Sequence, residues 1–112
     1  MSIRYEGIGN MGVTIPAGDC KEGHVCGVDT SGKACLCAQG AAFIGKVETV
    51  HGNQAGVQVF GFAKVPYTGI APAMGYSKLS ANGTGGVMAD TAGNAYWVVE
   101  VDTTGLTVTI KL

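Results

Sequence analysis

Four cysteines crowd into one short stretch of this chain, Cys20, Cys26, Cys35 and Cys37, with His24 inside the first interval. Thiolate sulfur and imidazole nitrogen suit zinc and other soft metals, so these five residues are the candidate metal ligands. Their spacing, C-x5-C-x8-C-x-C, has none of the paired C-x(2–4)-C knuckles that hold structural zinc. Cys35 and Cys37 share a face if residues 33–38 form a strand, and there they would act as small core hydrophobes. The chain opens Met-Ser-Ile-Arg-Tyr-Glu-Gly, with no apolar signal core, which predicts a protein made and kept in the cytoplasm. Thiols stay reduced in that compartment. Reduced thiols are therefore the expectation, with a disulfide and a metal as the alternatives, and no cofactor is expected.

Other chemistry-bearing residues do not converge. The eight acids, Glu6, Asp19, Glu22, Asp29, Glu48, Asp90, Glu100 and Asp102, fall mostly in or beside turns, where carboxylates bond to local backbone. Glu48 and His51 approach one another only at a hairpin corner. The serines Ser2, Ser31, Ser77 and Ser80 lack a Gly-x-Ser-x-Gly elbow. Asn82-Gly83-Thr84-Gly85-Gly86 has the glycines of a phosphate cradle, but no Gly-Lys-Ser/Thr follows, so a plain turn is the reading. Tyr67, Tyr76, Tyr96 and Trp97 offer rings that stack on a sugar or a base if exposed, or pack in a core or interface if not. No catalytic residue is assigned, and the chain is read as a non-enzyme.

At 112 residues the chain suits one domain with its own core. Hydrophobic residues make up 46% and charged residues 13%, about half the roughly 25% charge of an ordinary soluble domain. Such a surface is poorly protected against association, or simply reflects a glycine-rich β-protein. With 7 basic and 8 acidic residues and a net charge of −1, no basic run exists to neutralise phosphates, so nucleic acid is not an expected partner. No apolar run nears the roughly 20 residues of a membrane span.

The elements that must carry these residues are short strands. Residues 1–12 hold three glycines and no alternation, which predicts an extended N-terminal arm, and residues 13–112 form a single β domain. Residues 23–28 and 34–38 make a hairpin around Asp29-Thr30-Ser31-Gly32-Lys33. Residues 43–50 and 57–65 make a second, joined by residues 51–56, and its later strand is apolar on both faces, which predicts a central, doubly covered strand ended by Pro66. A loop follows, with room for one helical turn after Pro72, then short strands at 76–79 and 87–88. Residues 95–101 place Trp97, Val99 and Val101 on one face; Leu106, Val108, Ile110 and Leu112 alternate with a solvated Thr107, Thr109 and Lys111. The expected core is Val47, Val57, Val59, Val65, Trp97, Val99, Val101, Leu106, Val108 and Ile110. No internal repeat is apparent. The pattern predicts an all-β, mainly antiparallel barrel or sandwich with glycine-rich turns.

One series of residues adds a resemblance: Phe43-Ile44-Gly45-Lys46-Val47, a polar turn, Gly56-Val57-Gln58-Val59-Phe60-Gly61, Val65-Pro66-Tyr67-Thr68-Gly69, Pro72-Ala73-Met74-Gly75-Tyr76, and Leu79 through Asn82-Gly83. Over roughly residues 17–112 it resembles the head decoration, or capsid cement, proteins of tailed bacteriophages; the four cysteines depart from that pattern. The resemblance implies a small β-protein without enzymatic activity, a structural virion protein added to the outside of an expanded capsid. It also implies the major capsid protein as partner, a homo-oligomer (a trimer), assembly in the bacterial host cytoplasm and residence on the capsid exterior. Ile3, Tyr5, Ile8 and Met11 of the arm are the expected capsid contacts, since the arm has too little periodic apolar content to join the core. Two rivals stand beside this reading: a β-domain binding sugar or a host surface through Tyr67, Tyr76 or Trp97, and a small metal or redox protein using the cysteines.

Overall fold

The computed structural model describes residues 11–112. It is all β: ten strands in two antiparallel five-stranded sheets that do not close into barrels, an arrangement consistent with a sandwich. The first sheet joins β1 (Met11–Pro16), β2 (Val25–Val28), β3 (Ala34–Leu36), β4 (Gly45–His51) and β5 (Gln54–Phe60), in the order β1-β5-β4-β2-β3. The second joins β6 (Phe62–Pro66), β7 (Gly75–Ala81), β8 (Val87–Ala89), β9 (Asn94–Asp102) and β10 (Thr107–Lys111), in the order β6-β10-β9-β7-β8.

These orders are the same, five strands on, so the chain does contain an internal repeat, of topology and register. Val13 faces Val57 and Ala63 faces Ile110; Pro16 faces Gln54 and Pro66 faces Thr107. Each second hairpin carries a bulge at the matching place, Glu48 in β4 and Val99 in β9. In each sheet the residue after the proline bridges back to the far edge, Ala17 to Ala34 and Tyr67 to Val87. Even the first hairpin turns correspond. Asp29 Oδ1 accepts the N–H groups of Ser31 and Lys33, and Asn82 Oδ1 accepts those of Thr84 and Gly86. Sequence alone hides this because the two halves share punctuation, Pro16 with Pro66 and Gly32 with Gly85, rather than side chains.

The expected doubly covered central strand is instead two strands. The chain breaks at Gly61, whose φ of 96 is a conformation that L side chains resist, and crosses from one sheet to the other. The buried amide of Gln58 clamps that corner, its Nε2 donating to the carbonyls of Phe60 at 3.2 Å and Phe62 at 2.8 Å. The preceding turn is also tighter than its glycines suggested: His51 pairs with Gln54, leaving Gly52 and Asn53 as a two-residue loop.

Two apolar clusters result. One gathers Cys20, Cys26, Ala34, Val47, Ala55 and Val57 on the first sheet. The larger lines the second sheet with Ala63, Val65, Tyr67, Leu79, Val98, Val108 and Ile110, and takes in Val25, Cys37 and Phe43 from the first half. The Phe43 and Tyr96 rings stack across the junction at 5.0 Å. Backbone bonds from Val25 N to Gly85 O and from Gly40 N to Ala81 O, both 2.8 Å, tie the halves further.

Several expectations about the core fail for local reasons, and Val99, expected in it, is the bulge residue and lies in neither apolar cluster. The Val99 bulge reverses the alternation of β9, so Val98 is buried and Trp97 is 54% exposed. Leu106 is also exposed, because it closes the last turn at φ 56 rather than starting the strand. Thr109 is buried, opposite Lys64 on one side and Glu100 on the other. No helical turn follows Pro72.

Candidate functional site

The sulfur cluster sits where β2 and β3 meet. Cys20 and Cys26 are buried in the first cluster, Cys37 is buried at the junction of the halves, and Cys35 is partly exposed; all four are free thiols. Gly27 pairs with Cys35, and a Cβ there would lie 3.3 Å from Cys37 Sγ and 3.8 Å from Cys35 Sγ. Burial, with the neighbouring Cys37 second, pushes the Cys26 thiol up to about 12, and burial with Cys35 nearby pushes Cys37 up to about 11. Burial, then Asp29, raises Cys35 as well. A thiol that holds its proton is a poor nucleophile and a poor ligand. His24 packs its ring against Gly85, and its buried Nδ1 has no hydrogen-bond partner. Among the described residues no three His, Cys, Asp or Glu side chains are placed to hold a metal ion.

The remaining polar candidates stay apart. Glu48 is the exposed bulge residue and pairs loosely with Lys46 at 4.0 Å, while His51 is exposed at its hairpin. In the glycine turn after β7 the N–H groups of Thr84 and Gly86 are turned onto Asn82 Oδ1, as in an ordinary side-chain-organised turn. Asp90 binds inward, accepting from the buried Ser80 hydroxyl at 2.8 Å and from Ala92 N–H.

Two surface features stand out instead. On the outer face of the second sheet, strand register lines up Phe62, Lys111, Trp97 and Tyr76 in one row across β6, β10, β9 and β7. The Tyr76 and Trp97 rings lie side by side at 5.0 Å, and Lys111 Nζ sits 4.5 Å from the centre of the Phe60 ring. Phe60, Tyr76 and Trp97 are all exposed. Of the four rings considered for stacking, Tyr67 and Tyr96 pack inward and only Tyr76 and Trp97 face out. The bulge at Val99 is the signal that was needed, and nothing in the residue types marks it.

The second feature is β1, an outer strand of its sheet. Met11 and Gly12, read from sequence as arm, belong to this strand; Met11 and Val13 are exposed. Ile3, Tyr5 and Ile8 lie outside the described residues. Comparison with protein-family models, curated proteins and solved structures finds no match to this chain.

Proposed function

We propose that this chain is a structural virion protein, a decoration protein that binds the outside of a phage capsid and stabilises it through its N-terminal segment and the β1 edge. The observation that carries the reading is β1: a six-residue edge strand, mostly exposed, that runs directly into residues 1–10. An outer strand presents unpaired N–H and C=O groups, and a neighbouring chain adds to such an edge by backbone pairing. Ile3, Tyr5, Ile8 and Met11 supply side-chain contacts, and these must outweigh roughly 1–2 kcal/mol of entropy per residue ordered on docking. The resemblance supplies the partner, the major capsid protein. A second reading, a sugar-binding β-domain, draws on the exposed Tyr76–Trp97 pair.

Deleting residues 1–9 tests the reading. The truncated chain is expected to melt within a few degrees of the full chain, yet bind expanded capsids lacking the native protein far more weakly. Equal binding by both forms removes the N-terminal segment from the contact. Binding by neither form removes the capsid reading altogether.

A further inference from the structure

The loop into β7 carries the most exposed large apolar side chain of the described residues, Ile70 at 84%, and Met74 on the same loop is 62% exposed. The loop is anchored beneath these side chains. Pro72 is buried, and the Ser77 hydroxyl donates to the Ala73 carbonyl at 2.7 Å, which ties the end of the loop to β7. The side-by-side rings of Tyr76 and Trp97 follow at once, both exposed. Two cations border the rings: Lys111 faces Trp97 across the strands, and Lys78 stands two residues beyond Tyr76 on the same face of β7. Charge in this part of the chain has one sign. Residues 49–89 hold Lys64 and Lys78 and no acid at all. The next acid, Asp90, is turned onto the Ser80 hydroxyl and the Ala92 N–H. Among the described residues the only ion pair joins Lys46 and Glu48, so the exposed Lys78 is unmatched.

We propose that this end of the second sheet docks on the surface of an anionic lipid bilayer, lying at the interface rather than spanning it. Each residue type has a level to occupy there. Ile70 and Met74 enter the boundary of the acyl chains, as the apolar side of an interfacial segment does. Tyr76 and Trp97 sit among the headgroups, where rings with an apolar body and a polar tip are favoured. Lys78 and Lys111 lay their aliphatic stems along the rings and reach lipid phosphates. The unbroken absence of acids over residues 49–89 is what selects an anionic surface, since a carboxylate here would be repelled by it. The proposal does not rest on capsid attachment, which uses β1 and the N-terminal segment.

The test is flotation of the full chain with vesicles of phosphatidylglycerol and phosphatidylcholine, against vesicles of phosphatidylcholine alone. Trp97 is the only tryptophan, so its emission, read in the same samples, reports on this face. The chain is expected to float with the anionic vesicles as its emission shifts to the blue, and both effects should fade as salt rises. Met74→Glu and Lys78→Glu should each weaken binding about tenfold or more, with melting temperatures close to that of the parent because both sites are exposed. Leu106→Asn, at an equally exposed site beyond the other end of β10, should leave binding unchanged; a matching loss there would overturn the proposal. So would a parent chain that stays out of the anionic vesicles, and a shift of its emission on adding oligosaccharide would then assign the rings to sugar. Flotation without any change in Trp97 emission also overturns it, since the contact must then lie elsewhere; that arm needs no variant to fold.

Discussion

Cys26 and Cys37 keep their protons far above neutral pH because the core that buries them cannot solvate a thiolate. Native protein at pH 8 should therefore react with iodoacetamide at Cys35 first, the only one of the four not buried, and at all four once unfolded. Recovery of fewer than four thiols after unfolding without reductant would mean a disulfide and contradict this. The same shifts set the alkaline limit. The unfolded thiols ionise near 9.0 and the folded ones near 11 to 12, so this contribution to stability is intact below pH 9 and lost as pH rises toward 12. Asp90 and Asp102 set the acid limit in the opposite sense. Backbone N–H groups, of Ala92 and of Gly105 and Thr104, hold both carboxyls below their usual 3.8. Their stabilisation is present above that value and disappears as pH falls below it, which melting temperatures from pH 7 to pH 2 should register. Sequence showed that the cysteines and aromatic residues were numerous; which of them face solvent depends on strand phase. Trp97→Ala should accordingly cost less than about 1 kcal/mol, whereas Ile110→Ala, at a fully buried site, should cost about 2–5 kcal/mol. A Trp97 cost above that of Ile110 in chemical denaturation would contradict the bulge.

At the scale of elements, alternation and turn residues located many of the strands: both hairpins with Asx-type turns, the proline end of β6, and the last two strands were legible. Two local events were not. A bulge shifts phase by one residue and leaves no composition mark, and Gly61 reads as a strand glycine although it turns the chain between sheets. Gly61→Val tests that corner. A β-branched residue is strained at φ 96, so the variant should lose about 1–3 kcal/mol; an unchanged denaturation midpoint would mean that the chain passes straight through. The equivalent turns give a paired test. Asp29→Ala and Asn82→Ala each remove a side chain that organises a hairpin through two backbone bonds, and each should cost about 1–2 kcal/mol.

For the whole molecule, the duplicated architecture explains how a chain with so little charge divides its surfaces. Val25 and Gln58 of the first half are buried, Tyr76 and Trp97 of the second half are exposed, and β1 is an outer strand of its sheet. The proposed capsid attachment is tested by co-sedimentation of the full chain with expanded phage capsids from which it has been omitted. The chain is expected to pellet with the capsids to a saturating stoichiometry and to raise the temperature at which they rupture. A chain that stays in the supernatant at every ratio, leaving that temperature unchanged, would contradict it.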